Sequence, residues 1–304
     1  MYSREPASMY DQVTANKFKS VAMVGVFVLL VLAVGWAFGY VFDWGAGGLV
    51  LALLFSFAMA WGSYWHSDRI VLSMSKARPL DRDTEPYLVN VIEGLSIAAG
   101  LPVPKAYVID DPAPNAFATG RNPDNAAIAV TRGLMEKLDR LELEGVVAHE
   151  LAHVKNYDTL VQTMTAVLAG TVVLLSDWMM RSLWWGGGRR SSKQGGGQGQ
   201  GLFLLVGILV ALISPFFAAL IQMAISRKRE YLADANGALL TRYPPGLAGA
   251  LRKIAGDHEK LKVANKATEA LYIYNPLRDY GGGLNSLFNT HPPVEERIRR
   301  LEAM

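Results

Sequence analysis

The stretch 145–158, GVVAHELAHVKNYD, decides how the rest of the chain is read. Two of the chain's five histidines, His149 and His153, stand four apart, with Glu150 beside the first. Residues i and i+4 share one face of a helix, so the two imidazoles project together and can converge on one ion. Glu150 lies about 100° round the same helix, too far to ligate easily but within reach of a water on that ion. This is the geometric reason for H-E-x-x-H in zinc peptidases. The competing reading is an ordinary amphipathic helix holding two structural histidines. Its context argues otherwise. Leu143, Val146, Val147, Leu151 and Val154 form an apolar stripe on a helix spanning about Leu141 to Asn156, so the polar trio is not part of a generic solvated surface.

Composition narrows the setting. The chain has 304 residues, 51% hydrophobic and only 19% charged, against about 25% charged in an average soluble protein. Mean hydropathy is +0.18, which points towards lipid. Net charge is +3. No Lys/Arg block interleaves with aromatics, which argues against nucleic-acid binding. There is no cysteine, so disulfides and a thiol nucleophile are excluded, and any metal must be held by His, Asp or Glu.

Four apolar runs organise the chain. Residues 20–42 carry no charge and are long enough to cross a hydrocarbon core of about 30 Å. A signal peptide would have a shorter apolar region followed by a small-residue cleavage site. Here Asp43-Trp44 follows, and the run reads as an uncleaved anchor. Residues 45–65 form a second charge-free run, making a tight hairpin with the first. Trp36, Tyr40, Trp44, Trp61, Tyr64 and Trp65 cluster towards segment ends like an interfacial belt. The third run, 159–176, is borderline in length. The fourth, 202–225, is interrupted by Pro215 and Gln222. Between them, the Gly/Ser/Gln-rich stretch 186–201 reads as a flexible loop.

The chain therefore divides into an N-terminal cytoplasmic segment (1–19), a transmembrane hairpin (20–65), a first catalytic part carrying the H-E-x-x-H helix (66–158), a second hydrophobic hairpin (159–225) and a second catalytic part (226–304). The fold class is α+β: a multipass α-helical membrane protein, with about four transmembrane helices, bearing a cytoplasmic gluzincin-like domain. Helical spacing over 84–100 ends at Gly100, and 105–110 and 125–131 read as strands. Arg4, Lys17 and Lys19 before the first span, Arg69, Lys76 and Arg78 after the second, and Arg227–Arg229 after the fourth put the polar regions in the cytoplasm. Arg181, Arg189, Arg190 and Lys193 in the third loop run against that rule. Either this loop is translocated or the second hairpin does not fully cross; we read it as crossing.

A catalytic zinc keeps three protein ligands and an open position. The third must come from elsewhere, and SRKREYLADANGALL (226–240) is placed to supply it. Glu230 and Asp234 are again i and i+4. Glu230 can ligate, and Asp234 can accept the free ring N–H of a ligating histidine. Alternatively they are surface carboxylates paired with Arg227–Arg229.

VVAHELAHVKNYD, REYLADANGA, NAFATG (115–120) and THPPVEERIRRL (290–301), in this order among these apolar runs, resemble the HtpX-type membrane zinc metallopeptidases, the group that includes the CAAX prenyl protease Ste24 and Oma1-like enzymes. The resemblance covers nearly the whole chain after about residue 20. It implies one Zn2+ per chain held by His149, His153 and Glu230, with Asp234 behind them and Glu150 as general base and acid. It also implies hydrolysis of polypeptides, misfolded or damaged membrane proteins, at the bacterial inner membrane as part of a stress response. It places the THPP segment near the site, where His291 is an oxyanion donor, a resting-state fourth ligand, or a plain helix-capping or loop histidine. Tyr231 is a weaker candidate for the oxyanion. An extended substrate is expected along an edge strand at 125–131, touching Ala127, Ile128 and Ala129. The resemblance adds Asn115, Ala116 and Phe117 to that groove, with Phe117 alternatively in the core. His66 and His258 lack partners at ligand spacing.

Two other classes compete with this reading. An intramembrane metalloprotease would place Glu142, Glu144, Lys155 and Asp158 at mid-bilayer, at high cost, and the distal L-D-G motif of that class is absent. A membrane scaffold or transporter with a structural zinc would normally close the site with four ligands rich in Cys.

Overall fold

The computed structural model describes residues 9–41, 44–187, 226–265, 267–276 and 291–304. The fourth apolar run and most of the Gly-rich loop lie outside the described residues.

Helices α1 (Met9–Val41) and α2 (Ala46–Met74) form the expected hairpin. Both are longer than the apolar runs alone. α1 begins well inside the segment read as a separate N-terminal region, because Asp11, Lys17 and Lys19 sit on exposed or half-buried faces while Asn16, Ser20, Met23 and Phe27 turn inward. The hairpin closes tightly because its contact residues are small. A Cβ on Gly35 would come within 2.2 Å of the Ala52 Cβ, and one on Gly48 within 2.6 Å of the Gly35 carbonyl oxygen. Small residues at such crossings let membrane helices approach backbone to backbone. Outward faces carry Leu29, Leu51, Leu54, Phe57, Trp36 and Trp61, all exposed. These two helices are long and apolar enough to cross a bilayer.

A four-stranded sheet follows. β1 (Arg78–Pro79), β2 (Lys105–Ile109), β3 (Ala116–Thr119) and β4 (Ala127–Thr131) lie in the order β1-β2-β4-β3. β4 runs parallel to β2 and antiparallel to β3. This corrects the expectation that 125–131 is the edge. β4 is paired on both sides and wholly buried, so Ala127, Ile128 and Ala129 have no free main-chain edge to offer a substrate. The edge beside β4 is β3. Residues 123–125 form a short 3-10 turn rather than the start of the strand.

The two sheet faces bury different layers. Ile128, Val130, Ala116 and Ala118 pack with α3 (Pro86–Ala99), α5 (Arg140–Lys155), α8 (Pro244–Gly256) and α9 (Val294–Glu302). Ala127, Ala129 and Phe117 pack with Val71 and Leu72 of α2, with Ala166 and Val167 of α6 (Asp158–Gly187), and with Tyr272. A short helix α4 (Arg132–Lys137) follows β4. The remaining helix, α7 (Arg227–Thr241), lies against α5.

α5 is the central element. Asp139 caps it, accepting from the Glu142 N–H while the Glu142 side chain accepts from the Asp139 N–H at 2.8 Å. The expected apolar stripe understates its burial. Every residue from Leu143 to Val154 except Glu144 is buried, including His149 (0% exposed), Glu150 (2%) and His153 (4%).

Candidate active site

α5 brings His149 and His153 to one face, and α7 brings Glu230 opposite them. The close approach of the two helices depends on Gly237, where a Cβ would stand 3.0 Å from the His149 backbone nitrogen. Gly237→Val is therefore expected to push α7 off α5, lowering stability by about 1–3 kcal/mol and weakening zinc retention. Thermal unfolding and chelator competition measure both.

The donors converge. His153 Nε2 lies 3.2 Å from His149 Nε2 and 3.6 Å from Glu230 Oε1, and His149 Nε2 lies 3.7 Å from Glu230 Oε2. Ligands about 2.0–2.1 Å from a tetrahedral zinc stand roughly 3.3 Å apart. Glu230 Oε2 is buried with no hydrogen-bond partner among the described residues. Such an atom is costly unless something positive meets it. His149, His153 and Glu230 are the group of donors among the described residues that fits a metal ion.

A carboxylate stands behind each imidazole. His149 Nδ1 stands 3.0 Å from Asp234 Oδ1, and His153 Nδ1 is hydrogen-bonded at 3.0 Å to Asp158 Oδ2. Both Nε2 atoms are thereby directed at the metal position. Asp234 is the partner that the sequence spacing singled out. Asp158 was missed: it belongs to α6, and only the left-handed turn at Tyr157 (φ 58°) folds it back onto the ring.

Arg297 was missed as well. It is 1% exposed, donates to Asp234 at 2.7 and 2.9 Å and to the Ile273 carbonyl at 2.9 Å, and lies 3.8 Å from Glu230 Oε2. Its signal was present in the sequence. Val294, Arg297 and Leu301 share the buried face of α9, an arginine standing in an apolar stripe.

The electrostatics follow from this packing. Burial alone would lower the His153 pKa, but Glu230 and Asp158 outweigh it and hold the ring up at about 9. Burial would raise Glu230, yet His153, His291, Arg297 and His149 hold its carboxyl down at about 2. Asp234 is likewise held well below the usual carboxylate range, chiefly by Arg297 and His149 against the effect of burial. The site thus favours positive charge between the imidazoles and Glu230, as a divalent cation requires. Glu150 differs: burial raises its pKa, against the two imidazoles and a hydrogen bond from the Ala118 backbone. A carboxyl raised in this way is suited to taking and returning a proton.

The other expected residues divide. His291 is buried and close enough for Glu230, His149 and His153 to act on it, with burial foremost in lowering its pKa to about 4. The Asn115 side chain is engaged within the chain: its Nδ2 donates to the Tyr274 carbonyl at 2.9 Å and its Oδ1 accepts from the Ala116 N–H. The Ala116 carbonyl is already taken by the Ile273 N–H at 2.9 Å. The Phe117 side chain is fully buried, edge-on to Tyr272 at 5.1 Å, so the core alternative holds for it. The Tyr231 ring is covered by Arg300. His66 and His258 are exposed and stand outside the cluster.

The sequence pattern of Peptidase family M48 matches residues 82–304, a span that includes His149, Glu150, His153, Asp158, Glu230, Asp234, His291 and Arg297. The chain belongs to peptidase family M48. A "Protease HtpX homolog" of Dictyoglomus thermophilum is 46% identical over 300 residues, covering 99% of this chain and 96% of the relative. Another protein of that name, from Streptococcus pneumoniae strain P1031, is 46% identical, covering 97% of this chain and 100% of the relative. The solved Ste24p of S. mikatae is 21% identical with a TM-score of 0.47, covering 96% of this chain and 67% of that one. As an M48 peptidase, this chain is a zinc metalloprotease. The scaffold and transporter alternatives are set aside.

Proposed function

We propose that this M48 peptidase is a multipass enzyme of the bacterial inner membrane that hydrolyses peptide bonds at the cytoplasmic surface, with His149, His153 and Glu230 holding one Zn2+. The observation that carries the reading is the convergence of these three donors beside the buried carboxyl of Glu150. Zinc bound there supplies Lewis acidity, lowering the pKa of water towards 7 and polarising the scissile carbonyl.

The chain's own residues do the rest. Glu150, a buried carboxyl beside the three donors, takes the proton of the attacking water and returns it to the departing amine. His291 donates a hydrogen bond to the oxygen on which charge develops, a role that its closeness to Glu230 supports. Asp158, Asp234 and Arg297 hold the ligands in place. The substrate's main chain is held at the Ala118 end of β3, since the Ala116 end is engaged by Ile273. The substrate class, misfolded or damaged membrane proteins, and a role in stress response rest on the family resemblance.

The test uses the purified full-length chain in detergent with an unfolded membrane polypeptide. Cleavage should stop with a chelator and return with stoichiometric zinc; cleavage indifferent to chelation refutes the reading. Orientation is checked separately. The chain lacks cysteine, so Asp83→Cys on an exposed turn should react with an impermeant maleimide only from the cytoplasmic side.

The carboxylates behind the imidazoles give a further expected result. Asp234→Asn should lower zinc affinity about 10–100-fold, the usual effect of removing such a partner, measured by chelator competition. Unchanged affinity would show that Asp234 serves packing alone.

A further inference from the structure

The start of α1 touches the metal site's support. Asn16 is 2% exposed, and its Nδ2 donates to Asp158 Oδ1 at 2.8 Å and to the Asn156 carbonyl at 3.0 Å. Asp158 uses its other oxygen for His153 Nδ1 and is also met by Arg229 Nε at 3.2 Å. The next residue, Lys17, places its ammonium 4.5 Å from the centre of the Tyr157 ring. Two consecutive residues of α1 therefore engage three consecutive residues, Asn156, Tyr157 and Asp158, of the turn between α5 and α6. That turn is held in a costly conformation, since Tyr157 is a non-glycine residue at φ 58°. The contact is not incidental to hairpin packing. It lies far from the Gly35–Gly48 crossing, and the neighbouring α1 contact with α6 is a Thr165 hydroxyl donating to the Met23 sulfur at 3.7 Å.

We propose that Asn16 is a positioning residue: by fixing the Asp158 carboxylate and the turn that carries it, it sets the orientation of His153 and couples the seating of the N-terminal helix to zinc affinity. The proposal rests on His153 being a zinc ligand. Without the Asn16 donor, Asp158 Oδ1 keeps Arg229 but loses the contact that fixes the carboxylate against α1. The carboxylate is then freer to rotate away from the ring, and His153 is less well prepared to bind. Asn16 touches neither substrate nor reacting atoms.

The test measures zinc affinity of the full-length chain in detergent by competition with a chromophoric chelator, with the visible spectrum of the cobalt-loaded protein as a second readout. Asn16→Leu should weaken zinc roughly 3–10-fold, less than the 10–100-fold of a direct partner, and should alter the cobalt spectrum. Asn16→Asp, which sets a carboxylate against Asp158, should weaken it more. Ser20→Ala, on the same buried face of α1, removes a hydroxyl that among the described residues bonds the Asn16 main-chain carbonyl at 3.0 Å and not its side chain, and should leave affinity unchanged. In an Asp158→Asn background, Asn16→Leu should cost nothing further, because the two act through one carboxylate. Should Asn16→Leu not fold, Asn16→Ser carries the same expectation, its hydroxyl being too short to reach both acceptors.

Affinity within twofold of the parent for Asn16→Leu and Asn16→Asp, while His153→Ala loses tight zinc, overturns the proposal and leaves the site intact. So does a loss that persists in full in the Asp158→Asn background, since that marks a merely structural role. Tight zinc retained by His153→Ala overturns the ligand assignment, and this proposal with it.

Discussion

Glu150→Gln is expected to bind zinc like the parent chain and to lose peptidase activity by about 10²–10⁴-fold. The amide keeps the shape of a side chain that is only 2% exposed, so the fold and the three ligands should be undisturbed. It cannot take a proton from water at neutral pH, nor return one to a departing amine. The loss should fall on kcat, because Glu150 acts on the reacting atoms rather than on the body of the substrate. Zinc content by elemental analysis and cleavage of an unfolded polypeptide are the paired measurements. Equal loss of zinc and activity would move Glu150 from the chemistry to the metal shell.

The second large effect belongs to Glu230. Glu230→Ala should weaken zinc binding by about 10²–10³-fold. Dividing the roughly 10–16 kcal/mol of a four-ligand zinc site equally gives about 2.5–4 kcal/mol per ligand. The variant leaves two imidazoles, each with its carboxylate behind it, and Arg297 still paired with Asp234. Activity at sub-stoichiometric zinc should vanish, and excess zinc should restore only part of it. A chelator titration of the variant beside Asp234→Asn separates a ligand from its support: the first should fall by orders of magnitude, the second by one or two.

How far the sequence carried this account depends on the range of the interactions involved. The H-E-x-x-H helix was legible because its spacing is set by helix geometry alone, and α5 was expected within a residue of its bounds, Arg140–Lys155. Glu230 needed the resemblance, since an acidic pair beside three basic residues reads equally well as a solvated face. Strand order was not legible. NAAIAVT is apolar on both faces, as an interior strand must be, but which strand covers its outer edge is decided by tertiary pairing. The edge strand AFAT is short and alanine-rich, with little strand propensity of its own. Its bonds to Ala127–Val130 make it a strand. Asp158 and Asn16 were hidden for a related reason. They lie 142 positions apart and meet only because α1 packs on α6, while Asp158 reaches His153 only through the turn at Tyr157.

The account is tested most directly by zinc-edge anomalous diffraction from crystals of the zinc-loaded chain. It predicts one strong peak within about 2.0–2.2 Å of His149 Nε2, His153 Nε2 and a Glu230 carboxylate oxygen. A peak elsewhere, or one bound by the imidazoles with Glu230 turned away and another side chain in its place, would contradict it.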